Sequence, residues 1–322
     1  MPLLELSYRP AWPFRFGHAS TIWPSAMRRI HGFEWTVRER LETPDGDFVD
    51  LDGRPDGRSR AIVICHGLEG HSRRAYVLGL ARAFELAGFD PWALNFRGCS
   101  GESNRTCGAY HSGLSDDLHL AVAHLAGRYR TVVAAGFSLG ANVVLKYLGE
   151  PRDDRPRQLH SGIAFSAPCD LASSAIELNK PKNWLYRERF LRTLKKKLRL
   201  KAACFPGLPD ARTIHRLRTL DQFDDLYTAP VHGFADASDY YRRASSRQFL
   251  MGIDRPTLML SAQDDPILAP ECFAWAEAKL QPFLHLCTPL YGGHTGFYLP
   301  GDLYWSERLA VEFVMEQLRA TR

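Results

Sequence analysis

With 322 residues, 45% of them apolar and 24% charged, the chain is long enough for one large α/β domain carrying an insertion and apolar enough to bury a sizeable core. No window approaches the roughly 18 uncharged apolar residues of a membrane span, so no transmembrane helix is expected. The opening stretch from Met1 to His18 carries three prolines and no sustained apolar run, which makes a poor signal peptide. The net charge of +5 is unevenly placed: from Lys180 to Arg218 thirteen Lys or Arg stand against two acidic residues. The basic character therefore belongs to one segment, which argues against a general nucleic-acid binder. Seven cysteines are scattered without any C-x-x-C pair. That spacing argues against a zinc ribbon or a dithiol redox motif and fits a reducing compartment, most simply the cytoplasm. No metal or cofactor is expected.

Along the chain, Trp35–Leu41 and Phe48–Leu51 alternate in polarity around Thr43-Pro-Asp-Gly46 and read as a β-hairpin. Short continuous apolar runs follow at Ala61–Cys65, Pro91–Phe96, Thr131–Phe137, Ser161–Phe165, Thr257–Ser261 and Leu284–Thr288, each the pattern of a strand buried on both faces. Helical patterns over Ser72–Leu86, Leu114–Leu125, Ala141–Leu148 and Leu303–Leu318 separate them. Alternating strand and helix predicts a mostly parallel, doubly wound sheet covered on both faces, with the hairpin at its antiparallel edge. From about 170 to 248 the alternation stops. That stretch is helical, basic and aromatic, and it reads as a cap inserted over the C-terminal edge of the sheet, where open α/β folds bind ligands. Within it Tyr186, Phe190, Leu194 and Leu198 recur every four residues with Leu191 beside them, one apolar helical stripe. Arg187, Arg189, Arg192, Lys195–Lys197 and Arg199 fill the other face, a solvated surface or one that docks on anionic lipid or an acidic substrate.

The chemistry-bearing signal is Gly136-Phe-Ser-Leu-Gly140 between a strand and a helix. A serine hydroxyl is a weak nucleophile until a base takes its proton. A sharp strand-to-helix turn lifts Ser138 clear of the backbone, and the flanking glycines omit side chains that would clash there. His66-Gly-Leu-Glu-Gly70 follows the strand Ala61–Cys65, the place for a loop that points an amide at a developing oxyanion. The Leu68 amide is one expected donor and the Leu139 amide, next to the serine, the other. The apolar strand at Thr257–Ser261 ends in Asp264-Asp265-Pro266. The acid that orients a histidine belongs there; Asp264 is preferred, three residues past Ser261, with Asp265 open. His294, between Gly292-Gly293 and Thr295-Gly296, completes the order Ser138, Asp264, His294 and is the expected base.

These stretches, together with Asn95-Phe-Arg-Gly-Cys-Ser-Gly-Glu102, Tyr110-His-Ser-Gly113 and Ala141-Asn142, resemble the YheT-like branch of the α/β-hydrolases over nearly the whole chain. Gly17-His-Ala-Ser-Thr21 departs from the branch's usual N-terminal His-Leu-Gln-Thr form, and Ala141 stands where Gly is frequent. The resemblance implies the α/β-hydrolase fold, a triad of Ser138, Asp264 and His294, and an esterase activity whose animal relatives cleave lipids. His66, Arg97, Tyr110 and His111 are expected to line or brace the site, with Arg97 pairing to Asp116 or Asp117. The expected partner is a small ester substrate of lipid-like character, not nucleic acid, with peripheral membrane contact through the basic cap as the one lipid-surface role. Acyl transfer to an alcohol or thioester cleavage would use the same residues. A non-catalytic membrane-docking module is the competing class.

Overall fold

The computed structural model describes residues 8–320. Eight strands form one sheet: β1 (Val37–Glu42), β2 (Phe48–Gly53), β3 (Arg60–Cys65), β4 (Asp90–Asn95), β5 (Thr131–Phe137), β6 (Leu159–Phe165), β7 (Thr257–Leu260) and β8 (Leu284–Cys287). Their spatial order is β1-β2-β4-β3-β5-β6-β7-β8. The hairpin β1–β2 is antiparallel and joins β4 antiparallel at one edge, while β4 through β8 run parallel. The apolar runs read as strands are strands, and the helices between them are α2 (Ala75–Leu86), α3 (Ser115–Ala126) and α4 (Leu139–Gly149), with α10 (Trp305–Ala320) at the end.

Period-two alternation sends side chains of each central strand to opposite faces. Ala61, Val63, Val132 and Ala134 pack with Leu118, Val122, Val144 and Leu148 of α3 and α4. Ile62, Ile64, Val133 and Ala135 pack with Leu80, Phe84, Ala310 and Phe313 of α2 and α10. Burying both faces is what requires the near-continuous apolar strands seen in the sequence.

Two helices lie outside the sequence expectation, α1 (Gly17–Met27) and the short helix between β7 and β8. α1 contains Pro24 and a weak apolar pattern, so its own sequence gives little helix signal. Tertiary fit holds it: Ser20 and Pro24 are buried, and a β-carbon on Gly17 would lie 1.9 Å from the Asp264 carbonyl oxygen. Between β6 and β7 the chain is almost wholly helical, with α5 (Leu171–Asn179), α6 (Trp184–Ala202), α7 (Ala211–Arg216), helical turns over 220–231, and α8 (Ala237–Ala244). α9 (Trp275–Leu280) lies between β7 and β8. Among the described residues no helix is long and apolar enough to cross a membrane.

The inserted segment has its own core of Leu178, Tyr186, Leu191, Leu198, Ile214, Phe223 and Tyr227. The stripe on α6 is real, with Tyr186, Leu191 and Leu198 buried. The basic face is less solvated than the pattern implied. Lys197 turns inward to Glu69, and Lys195 and Lys201 donate to backbone carbonyls of Leu217, Thr106 and Gly108.

The turn at the end of β5 is closely packed on backbone. Ser138 has φ +52° and ψ −118°, a left-handed conformation that costs a non-glycine residue free energy. A β-carbon on Gly136 would sit 2.2 Å from the Gly140 carbonyl oxygen, and one on Gly140 would sit 2.5 Å from that of Cys65. Both obstacles are backbone and cannot swing aside. Gly140→Ala is expected to cost about 1–3 kcal/mol, the usual penalty for overpacking, read as a lower urea midpoint at unchanged slope.

Candidate active site

Ser138 stands at the N-terminus of α4 with its amide donating to the Phe165 carbonyl at 2.9 Å. Its Oγ is 2.9 Å from His294 Nε2, and His294 Nδ1 is 2.8 Å from Asp265 Oδ2. With the proton on Nδ1, the ring donates to the carboxylate and its Nε2 accepts from the serine hydroxyl. Asp265 is the partner, not Asp264. After β7 the chain turns, with the Asp265 amide donating to the Ala262 carbonyl at 3.2 Å, so the second aspartate of the pair faces the imidazole. The buried Asp265 also accepts at Oδ1 from the Ile267 and Leu268 amides, at 2.9 and 3.3 Å. Asp264 points to the histidine's loop instead, accepting from the Gly293 amide at 2.8 Å. Burial and the adjacent Asp265 push its carboxyl above the usual carboxylate range.

The loop after β3 lies against this serine: a β-carbon on Gly67 would be 3.2 Å from Ser138 Cβ. Gly67 N donates to the Tyr76 hydroxyl at 3.1 Å, and the Gly70 amide to the Gly67 carbonyl at 2.9 Å. Glu69, at φ +55°, is locked twice by Tyr110. Its amide donates to the Tyr110 hydroxyl at 2.7 Å, and that hydroxyl donates to its Oε1 at 2.9 Å. Lys197 of α6 donates to the same carboxylate oxygen at 2.9 Å. Among the described residues the amides of Leu68 and Leu139 donate to no protein acceptor. They stay available to a ligand oxygen.

Residues 60–299 match the family described as alpha/beta hydrolase fold. The chain belongs to that family. It is 35% identical to YheT of Escherichia coli over 294 residues, 87% of this chain and 84% of that one. A monoacylglycerol lipase of Saccharomyces cerevisiae is 31% identical, covering 83% of this chain and 60% of its own. Phospholipase ABHD3 of Mus musculus is 28% identical, covering 86% and 70%. Among solved structures, the Pyrococcus furiosus esterase Pf2001 shares the fold with a TM-score of 0.60 at 16% identity, covering 88% of this chain and 90% of that one.

Two cavities of this hydrolase meet at Ser138 and His294. The first, an open cleft of about 1330 Å³, runs beneath the inserted helices. Leu171, Leu178, Phe190, Leu194, Phe223 and Ile267 make it largely apolar. The second, about 1470 Å³, opens between α1, the start of α6 and the loop after β3.

Tyr110, His111 and Arg97 line the first cavity, whereas His66 lines neither. The His66 imidazole is fully buried and braces the loop: its Nε2 accepts from the Phe96 amide at 3.2 Å and its Nδ1 lies 2.8 Å from the Gly67 carbonyl oxygen. Burial drives its pKa down to about 3, so the ring is neutral. Arg97 is paired with Asp117 at 2.9 and 2.7 Å and also reaches Asp45. Those bonds consume its guanidinium, so it acts as a brace and not as a free substrate contact. His111 is buried against His232, Phe234 and Tyr240. The Asn142 amide group donates to the carbonyls of Ser112 and Ala244, at 2.8 and 2.9 Å. It thereby ties the helix below the serine to the inserted segment.

Sequence reading missed two supports of the histidine. The His294 amide donates to Thr21 Oγ1 at 2.8 Å, and the Thr295 amide to Ser166 Oγ at 3.0 Å. In the sequence Gly17-His-Ala-Ser-Thr21 stands out only as a departure from the family form, yet its last residue holds the loop that carries the imidazole. The signal available was the short hydroxyl in that block; nothing local said which loop it would meet.

Asp224 also faces the first cavity, accepting from Thr228 Oγ1 at 2.6 Å and from the Tyr241 hydroxyl at 2.7 Å. Burial pushes its carboxyl up to about 6. A carboxyl raised on folding favours the folded state most below its unfolded pKa, and that contribution is lost as pH rises through the folded one. Asp224→Asn is therefore expected to raise the melting temperature relative to the native protein at pH 8. The gap should close by about pH 4, as followed by thermal denaturation at both pH values.

Proposed function

We propose that this hydrolase cleaves carboxylic esters through an acyl-serine intermediate, with Ser138 as nucleophile, His294 as base and Asp265 as its orienting acid. The observation that carries the reading is the unbroken line from Ser138 Oγ to His294 Nε2, and from His294 Nδ1 to Asp265, at 2.9 and 2.8 Å. Ser138 Oγ attacks the ester carbonyl carbon as His294 Nε2 takes the hydroxyl proton. The carbonyl oxygen becomes an oxyanion held by the Leu68 and Leu139 amides. Each such donor is worth about 3–4 kcal/mol in the transition state. When the tetrahedral centre collapses, His294 returns the proton to the leaving alkoxide and the alcohol departs. Water then attacks the acyl-serine, gives its proton to His294, and the acid is released as Ser138 regains the proton. Asp265 keeps its charge throughout and stabilises the imidazolium.

The apolar cleft beneath the inserted helices takes the acyl chain in this reading, and the second cavity takes the alcohol part. The names borne by relatives, monoacylglycerol lipase and phospholipase, support a lipid-like acyl group. The inserted segment then acts as a cap whose α6 and α5 wall the acyl side.

A fluorophosphonate probe is expected to label the native protein on Ser138 and to leave Ser138→Ala unlabelled. That variant should also lose hydrolysis of p-nitrophenyl esters by roughly 10⁴-fold or more. Equal labelling of both proteins would contradict the reading.

A further inference from the structure

The second cavity carries an unbalanced charge that the hydrolytic reaction does not use. Arg28, Arg74, Arg189 and Glu69 are the ionisable side chains in its wall besides His294 and three tyrosines. Arg28 is neutralised by a bidentate pair with the buried Glu307, at 2.6 and 2.8 Å. The Glu69 carboxylate is held by Lys197 and Tyr110, as described above. Arg74 and Arg189 are left. Arg74 donates to the Glu69 carbonyl at 3.2 Å. Neither guanidinium has a described carboxylate within 4.0 Å.

Burial, and after it the charge of Arg74, hold the Arg189 guanidinium below its ordinary value. Both arginines also bear on the Tyr76 hydroxyl, which accepts from the Gly67 amide beside Ser138. Two arginines in one cavity wall, neither paired with a carboxylate, beside a nucleophile, leave forked donors that match the oxygens of a phosphate or carboxylate. The opposite cavity shows the contrast, since its lysines and Arg97 are occupied by protein groups.

We propose that Arg74 and Arg189 form an anion subsite on the leaving-group side, so that this hydrolase selects esters whose alcohol part carries a phosphate or carboxylate. The proposal rests on the acyl-serine reading for which side is the leaving-group side. An anionic alcohol bound there lies across Ser138 from the apolar cleft, and it leaves still charged after the proton from His294 has gone to its alkoxide oxygen. A neutral monoacylglycerol would fill the same space without engaging either guanidinium.

Binding is measured first, so that the answer does not depend on turnover. In Ser138→Ala, calorimetry compares 1-octanoylglycerol 3-phosphate with 1-octanoylglycerol, both below their micellar concentrations. The phosphate compound is expected to bind more tightly. Arg189→Gln in that background should shrink the preference about tenfold, the scale of one charge-assisted hydrogen bond, and adding Arg74→Gln should abolish it. Arg192→Gln removes the same charge one turn along α6, outside the cavity wall, and should leave the preference intact. Inorganic phosphate alone is expected to compete only weakly, because it lacks the acyl chain.

The catalytic arm uses 4-nitro-3-(octanoyloxy)benzoate against 2-nitrophenyl octanoate, two soluble esters that differ by the leaving-group carboxylate. The ratio of their kcat/KM values should fall in Arg189→Gln, whatever the overall rate. Equal binding of the two glycerides, or a preference that survives loss of both arginines, would overturn the subsite. So would a preference that appears only when substrates are presented in vesicles, since that would place the effect at the lipid surface. Failure of the native protein to turn over either ester, with the binding preference intact, would count against the acyl-serine reading alone.

Discussion

Everything around the candidate site hangs on one backbone constraint, the turn at which β5 ends and α4 begins. A left-handed φ at Ser138 lifts its hydroxyl out of the sheet, and the conformation survives only because nothing projects from Gly136 or Gly140. Gly140 packs on the carbonyls of Cys65 and His66, with a β-carbon there landing 2.5 and 2.6 Å away. The same contact that permits the serine's geometry therefore brings the end of β3, and the loop after it, under the serine. A turn and an amide-bearing loop are positioned by one close approach.

The remaining loops are held by hydrogen bonds across long sequence separations. Thr21 and Ser166 fix the backbone on either side of the His294 ring, and Asp264 and Asp265 divide the work of the acidic pair. One carboxylate orders the loop at Gly293; the other meets the imidazole. Lys197 and Tyr110 converge on Glu69, so α6 of the inserted segment is fastened to the very loop whose Leu68 amide is proposed to take the oxyanion. Preorganisation of this kind is what lets fixed dipoles act without reorganising during reaction. It also means that the insertion does more than cover an apolar cleft.

The sheet was legible because strands buried on both faces must be apolar throughout, and the runs at Ala61, Thr131 and Thr257 mark their own boundaries. Ser138 and His294 were legible from glycines, which betray tight turns wherever they fall. The choice between Asp264 and Asp265 was not. Counting from the strand end favours the first, but the turn from Ala262 to Asp265 rotates the chain, and a rotation of one residue exchanges the two carboxylates. α1 was invisible for a related reason: its helix is imposed by Gly17 fitting against Asp264 and by burial of Ser20 and Pro24, not by its own propensity. In the sequence Arg74 carries no signal of its own, and Arg189 is one cation of a basic face that reads as solvated or as docking on anionic lipid or an acidic substrate. Only the fold reveals that one, after the loop that follows β3, and the other, in the second turn of α6, reach the same cavity.

The account turns on which aspartate serves the imidazole. Steady-state hydrolysis of a soluble p-nitrophenyl ester by Asp264→Asn and Asp265→Asn, with circular dichroism to confirm that both fold, tests it directly. Asp265→Asn is expected to lower kcat by roughly 10³–10⁴-fold, as loss of the orienting acid does in serine hydrolases generally, while Asp264→Asn keeps kcat within about tenfold of native. The reverse order, or equal modest losses in both, would contradict the proposed Ser138–His294–Asp265 chemistry.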